Sequence, residues 1–250
     1  LLWTKTFHSN HTIEQLQIEV TKDDQILLGG SFRGDIYFTD IESVESYDES
    51  LDIFLLKLNE RGQVQNYAKF GKSGDNLLSG IACDEFGVTL ATNVAKSGAS
   101  SYGLLLLLDQ LLQIKSYVSF ESDNFSKCEF LKIAENEIYL SCNYTDSLKM
   151  NTGGDGVAPK NEVISFSDGN SSVIMKLSSG LELEWLHEME SGKDFAIESM
   201  ELSPFGNVIS LISFTQSTNS LSQNEGSNLR DLSILKLQGM NGKIIWEELI

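Results

Sequence analysis

The chain has 250 residues, 41% of them hydrophobic and 22% charged, with 36 acidic side chains against 18 basic ones and a formal net charge of −18. That is enough apolar material to bury a substantial core, so a disordered chain is not expected. The carboxylate surplus argues against nucleic acid or an anionic membrane as partner, and the longest apolar run, Gly103 to Leu108, is far short of the roughly 18–20 residues that insert in a bilayer.

The chain opens on a strand pattern, Leu2 to Phe7, with no signal-peptide pattern before it. It reads as the outer strand of a repeat whose beginning is missing, so the sequence is expected to be a mature or excised portion of something longer. Ile13 to Phe32 alternates apolar and polar residues and turns at Lys22–Gln25, as a half-buried hairpin does. Asp52 to Leu58 is apolar and too short for a buried helix, so it reads as an interior strand. Asn59-Glu60-Arg61-Gly62 then suits a tight reversal, and Val64 to Phe70 forms the second arm.

Both hairpins return. Leu78–Val94, Cys128–Tyr144 and Ala196–Phe214 repeat the first, with Phe86-Gly87 and Phe205-Gly206 marking turns where glycine tolerates positive φ. Tyr102–Tyr117, Ser172–Trp185 and Asp231–Trp246 repeat the second. Lys57 to Tyr67, Leu107 to Tyr117 and Lys236 to Trp246 are each ten positions apart, and Lys176 to Trp185 is one shorter. This spacing aligns the four aromatic residues as one recurring position. Lys57, Lys176 and Lys236 share another, where the aliphatic stem is expected to pack while the ammonium reaches water.

The expectation is an all-β chain: four four-stranded antiparallel units, 8–70, 71–120, 121–189 and 190–250, after an outer strand, 1–7, that belongs to a preceding unit. Four-stranded units repeated with aromatic markers are the signature of a β-propeller, in which each blade covers its neighbour's face. With one strand more than four blades need, an incomplete arc of a larger propeller is favoured over a closed disc. Its end faces would meet missing blades or neighbouring subunits.

Leu2-Trp3-Thr4-Lys5-Thr6-Phe7, Gly30-Ser31-Phe32-Arg33-Gly34, and Asp52-Ile53-Phe54-Leu55-Leu56-Lys57-Leu58 with Gly62 resemble the SBBP-type β-propeller repeat of bacterial surface and secreted proteins. The resemblance fades along the chain, since Leu107 replaces the lysine in the second unit and Ser172–Leu177 lacks the aspartate. It implies an extracellular or cell-surface location and a structural repeat without catalytic residues.

The links between the two hairpins of each unit vary most: Arg33–Leu51, Ala95–Ser101, Thr145–Ser171 and Thr215–Arg230. They are expected to be loops gathered on one face, dispensable for folding and suited to bind a protein or a glycan. Candidate binding residues are Asp35, Asp40, Tyr47 and Asp48 on the first, and Asn151, Asp155 and Asp168 on the third. Neither the acidic run Asp35–Glu49 nor Asn151–Gly156 has the spacing of a calcium loop, so Ca²⁺ is the weaker reading and no cofactor is expected. Arg33-Gly34-Asp35 falls where the repeat carries a glycine, so coincidence outweighs integrin-type recognition.

Cys128 and Cys142 lie in consecutive strands, where they are either bridged or two buried thiols, the second being preferred. The sequons at Asn10, Asn124, Asn143 and Asn170 are about as many as chance produces in this composition. His8, His11 and His187 lack zinc-site spacing, and no nucleophile elbow or phosphate loop is present. Trp3, Trp185 and Trp246 read as packing residues rather than a sugar platform. The reading is therefore a non-catalytic recognition or spacer module, with an enzyme whose active site lies at the propeller axis (glycosidase- or lyase-like) and a structural assembly subunit as the alternatives.

Overall fold

The computed structural model describes residues 3–38, 42–71, 74–95, 100–154, 160–189, 195–215 and 230–250, and among these every regular element is a β-strand. The first four-stranded group is β2 (Ile13–Val20), β3 (Ile26–Phe32), β6 (Asp52–Leu58) and β7 (Val64–Phe70). Between its second and third members in chain order lie β4 (Asp35–Tyr37) and β5 (Ser43–Glu45), which pair with β1 (His8–Ser9) in a small separate sheet before β6 begins. The second group is β8 (Asn76–Cys83), β9 (Val88–Ala95), β10 (Ser101–Leu108) and β11 (Ile114–Glu121). The third is β12 (Ser126–Ala134), β13 (Glu137–Gly154), β14 (Asn161–Leu177) and β15 (Leu183–Glu188). The fourth is β16 (Phe195–Leu202), β17 (Val208–Thr215), β18 (Arg230–Leu237) and β19 (Ile244–Leu249). Every strand ladder is antiparallel, and each group is a meander of two hairpins.

Burial explains the two kinds of strand. β6 and β9 are central and buried on both faces, which is why their sequences run apolar without alternation. β7 lies at a group's outer edge and alternates between half-buried and exposed positions. Four apolar clusters follow the chain. Phe32, Phe54 and Leu56 on one face of the first group pack with Ile36 and Phe38 of the small sheet. Leu55 and Leu27 pack against Leu78, Leu90 and Leu106 between the first and second groups. Leu105 and Phe120 pack against Leu140 and Met175 between the second and third, and Tyr139, Ile174 and Trp185 against Met200, Ile212 and Leu235 between the third and fourth. Each fully buried side chain of this kind contributes about 1.5–3 kcal/mol before entropy is subtracted.

Several expectations are corrected. Trp3–Phe7 forms no ladder; it docks by side chains, Trp3 Nε1 donating to the Glu60 carbonyl (2.8 Å) and Phe7 meeting Phe38 edge-on at 6.4 Å. The connection 33–51 is not a bare loop, because β4 and β5 carry Ile36 and Phe38 into the core. Most of Thr145–Ser171 is also strand: β13 and β14 run on as a long hairpin whose Lys149–Gly154 edge pairs with Glu121–Ser116 of β11. That pairing joins the second and third groups into one curled eight-stranded sheet, and it buries Leu148 and Met150 completely. Removing Asp146–Asn170 would therefore strip core, contrary to the reading of this segment as a dispensable loop.

Cys128 and Cys142 are directly opposite in the β12–β13 ladder, fully buried, with Cα atoms 4.1 Å apart, and they form a disulfide. The preferred reading of two thiols is thus corrected. Cys83 is free, and burial, reinforced by the nearby Glu19 and Asp84 charges, pushes its thiol up to about 11. Gly206 has the expected positive φ of 72°, but Gly87 does not; a Cβ there would sit 2.0 Å from the Leu108 carbonyl oxygen, so close backbone approach is what demands glycine.

The register also reassigns the aromatic positions. Lys57 pairs with Asn66, Leu107 with Ser116, Lys176 with Trp185 and Lys236 with Trp246. The structural counterparts of Trp185 are thus Asn66 and Ser116, while Tyr67 and Tyr117 sit one place along and face the other side. The cause is the last turn, closed by Gln238 N–H to Lys243 C=O, which is one residue longer than those closed by Asn59–Gln63, Asp109–Gln113 and Ser178–Glu182.

Candidate functional site

One sheet face stays partly open. Starting from the register, Asn76 of β8, Thr92 and Val94 of β9, Tyr102 and Leu104 of β10, Tyr117, Ser119 and Glu121 of β11, and Asn151 and Gly153 of β13 all point the same way. At one end this face is covered by the first group, where Leu78, Leu90 and Leu106 meet Ile53 and Phe70. Beyond that contact it opens into a cleft of about 700 Å³, walled on the near side by Lys69, Phe70 and Gly71 of the first group. The long hairpin supplies the far wall through Asn151 and Thr152.

The polar groups in the cleft are held in place before any ligand arrives. Ser119 Oγ donates to Glu121 Oε1 at 3.0 Å, and Asn151 Nδ2 reaches both Ser119 Oγ and Glu121 Oε1 at 3.3 Å. Ser119 and Asn151 are register partners, so the sheet itself fixes their spacing. Tyr117 lies across Gly153, where a Cβ would come within 2.7 Å of its phenol, so glycine is what lets the ring lie flat along the strand. At the first group's wall, Lys69 Nζ donates to the Glu45 carbonyl at 2.9 Å and sits 3.7 Å from Asp52 Oδ2. Asp52 is fully buried; desolvation raises its carboxyl above the ordinary range despite the Tyr47 N–H and Lys69, and its Oδ1 finds no hydrogen bond.

The sequence-predicted residues do not all converge here. Asn151 lines the cleft. Asp35 is in the small sheet, where its carboxylate accepts from Asn10 Nδ2 at 2.7 Å. Tyr47 is half exposed and gives its N–H to Asp52, and Asp48 follows in a turn at positive φ. Asp168 is exposed on β14. Asp40 and Asp155 lie outside the described residues. Arg33 of the RGD tripeptide is paired with Asp75 at 3.2 Å, and Gly34 has a φ of 73°. The cleft residues that sequence reasoning missed, Tyr102, Tyr117, Ser119 and Glu121, sit in strands read as packing; their alternation was visible, but the strand that joins them was read as a loop.

Among the described residues no three His, Cys, Asp or Glu side chains stand together as a metal set, and no helix is long and apolar enough to cross a membrane. The chain matches no family model and no curated protein.

A second cleft, about 860 Å³, lies at the turn end between the third and fourth groups and holds more charge. Both of its lysines are already matched: Lys132 pairs with Glu201 at 2.7 Å, and Lys176 with Glu184 at 2.8 Å and Glu137 at 3.8 Å. Burial raises the Glu137 carboxyl, and the Glu184 charge beside it adds to the shift. Burial alone would lower the Lys176 ammonium, but the Glu184 hydrogen bond and the surrounding negative groups raise it on balance. The pair that crosses this junction is Lys132–Glu201, while Lys176 and its two glutamates all belong to the third group.

Proposed function

We propose that the chain is a non-catalytic recognition module built as β-propeller blades of the SBBP-like kind, belonging to a surface or secreted protein, and that its cleft takes a short stretch of glycan. The observation that carries this reading is the cleft's lining: the aromatic side chains Phe70, Tyr102 and Tyr117 flank a hydrogen-bonded row of Asn151, Ser119 and Glu121. Sugar rings offer apolar faces that stack on aromatic rings and hydroxyls that pair with amides and carboxylates. The volume falls in the range of pockets that enclose small ligands, about 300–1,000 Å³.

Binding is preferred to hydrolysis because Glu121 is the one carboxylate among the described lining residues. Glycoside hydrolysis ordinarily needs two, about 5–9.5 Å apart. The four meander groups that pack in sequence support the blade reading, and the buried disulfide suits an oxidising compartment.

The test is a glycan array followed by calorimetry on the 250-residue protein. Tyr117→Ala and Asn151→Ala are expected to weaken a detected ligand at least tenfold, while Asp168→Ala leaves it unchanged. Loss of binding in Asp168→Ala with retention in Tyr117→Ala would move the site to the exposed hairpin edge and sink the cleft assignment.

A further inference from the structure

In each of the first three groups one row of side chains crosses the face that meets the next group. The row is Leu27, Lys57 and Asn66 in the first group, Thr89, Leu107 and Ser116 in the second, and Tyr139, Lys176 and Trp185 in the third. Where the first group meets the second, Lys57 Nζ donates to Gln110 Oε1 at 3.3 Å and Asn66 Nδ2 to the Leu111 carbonyl at 2.9 Å, so the row is tied to the next group's turn. Where the third meets the fourth, Trp185 Nε1 ties it to the Gly239 carbonyl at 2.9 Å. The matching turn of the third group is Ser178–Glu182, and among the described residues no side chain donates to its Ser179 or Gly180 carbonyl. The smaller side chains of the second group's row do not bridge to it. A cavity of about 260 Å³ is left at this junction, lined by Thr89, Leu107, Ser116, Lys115, Ser179 and Gly180 among others.

The charge in this cavity is unmatched as well. Each outer hairpin has a bulge that leaves one residue unpaired beside the row: Gln65, Lys115, Glu184 and Ile245 in the four groups. A bulge re-aims the side chain it inserts. In the third group Glu184 turns onto Lys176 of the row at 2.8 Å. In the second group the lysine stands at the bulge and the row holds uncharged Leu107, so Lys115 has no such partner. Among the described residues Lys115 makes no ion pair or side-chain hydrogen bond, and the Thr89 and Ser116 hydroxyls have no protein partner either. Thr89 and Ser116 are buried, but their oxygens are not sealed off, so they open into the cavity. Polar groups withdrawn from bulk water in this way favour a ligand that supplies the missing partners. Asp84 also lines the cavity, its Oδ1 accepting from the Phe86 and Gly87 N–H groups at 2.8 and 3.1 Å, and its charge opposes the entry of a polyanion.

We propose that this junction cavity binds a short carboxylic acid that carries a hydroxyl or amino group at its other end. The carboxylate meets Lys115 and the Ser116 and Thr89 hydroxyls. The donor takes the place at the Ser179 and Gly180 carbonyls that Asn66 and Trp185 hold in the neighbouring junctions. Between the two ends, Leu107 and Ile138 offer an apolar wall for a few methylenes. The cavity is smaller than the roughly 300–1,000 Å³ of sites for drug-sized ligands, which suits a ligand of this size. The site is independent of the glycan cleft. Ser116 lines the cavity and Tyr117, the next residue of β11, lines the cleft, so the two sites lie on opposite faces of one sheet.

Heteronuclear NMR titration of the 250-residue protein with γ-hydroxybutyrate, γ-aminobutyrate, butyrate, butanediol and inorganic phosphate tests this directly. At least one of the two bifunctional acids is expected to shift the Lys115, Ser116, Ser179 and Gly180 amides. It should bind at least tenfold more tightly than butyrate, which lacks the donor, than butanediol, which lacks the carboxylate, and than phosphate. Lys115→Gln changes an exposed side chain and should lower that affinity at least tenfold, while Lys243→Gln, which removes an exposed charge in the fourth group, leaves it unchanged. Ser116→Asn supplies the amide that bridges the first junction, so with native circular dichroism it should abolish binding; Lys115→Gln decides the matter if that variant fails to fold. The proposal is overturned if neither acid shifts these amides at millimolar concentration, or if butyrate, butanediol or phosphate binds as tightly as the better acid. Wild-type affinity in Lys115→Gln, or equal losses in Lys115→Gln and Lys243→Gln, overturns it too.

Discussion

The four outer-hairpin turns solve one backbone problem in two ways. Gly62, Leu112, Leu181 and Gly242 hold the same place in their turns, all at positive φ, between 62° and 72°. Where the residue is glycine, a tryptophan from the preceding segment lies over it: Trp3 over Gly62 and Trp185 over Gly242. Where it is leucine, the preceding position is Asn66 or Ser116, and the leucine buries its own side chain to 1% exposure. The volume at each junction is thus supplied once, either by the neighbour's indole across a bare backbone or by the turn's own leucine in a strained conformation. The strain costs about 1–3 kcal/mol, and burial of a leucine offsets it by a similar amount. A glycine at these turns is a docking port; a leucine is a plug.

The sharpest way to break the comparison is to add a side chain under the indole. A Cβ on Gly242 would lie 2.5 Å from Trp185, which is 8% exposed and cannot swing away, so Gly242→Val should cost about 3–5 kcal/mol in urea melts. Gly62→Val should cost only about 1–2 kcal/mol, because Trp3 is 37% exposed and can leave. Equal losses would show that Trp3 is held as firmly as Trp185.

Next in size is the lysine beside each junction. Lys176 is nearly buried between Glu184 and Glu137, so Lys176→Met leaves two carboxylates facing each other and should cost about 3 kcal/mol. Lys57 makes only long contacts to Gln110, at 3.3–3.4 Å, and Lys57→Met should cost under about 1.5 kcal/mol. Similar losses for both would refute the view that one lysine is an ion-pair hub and the other a packed stem.

Smaller again is the leucine plug. Leu112→Ala loses buried surface and keeps the positive φ, whereas Leu112→Gly loses slightly more surface but relieves the strain. The glycine variant should be more stable than the alanine one by about 0.5–1 kcal/mol, the reverse of the usual order in regular structure. Alanine ranking above glycine would mean that the turn relaxes away from positive φ once the leucine is gone.

These junctions were only half legible in the sequence. The hairpin strands were readable because β6, β9 and their kin are apolar runs of strand length bounded by turn residues. The aromatic alignment failed by one residue because a single extra residue in the turn Gln238–Lys243 shifts Trp246 against Tyr67 and Tyr117, and one place reverses the face. The long hairpin was hidden by its composition: Leu148 and Met150 alternate with polar residues between Asp146 and Gly153-Gly154, which reads as loop until β11 is known to lie alongside. Since that pairing builds the cleft's far wall, Asn151 could be nominated from sequence while Tyr117 and Glu121 could not.

The smallest effect separates the two tryptophan junctions by pH. Two residues after Trp185 comes His187, half buried against the last turn; desolvation lowers its pKa below the ordinary 6.5, outweighing a hydrogen bond with the Gly242 backbone and the Glu247 charge. Two residues after Trp3 comes Lys5, exposed and reaching over the Phe7 ring at 5.9 Å. Because the folded protein prefers the neutral imidazole, the unfolded chain binds more protons between the folded pKa and 6.5. Stability should therefore be complete above pH 6.5 and decline as pH falls through that value towards the lowered folded pKa. His187→Gln should flatten this part of the stability curve, while Lys5→Gln leaves it in place. A wild-type slope that survives His187→Gln would assign the proton to another group and remove the pH difference between the two junctions.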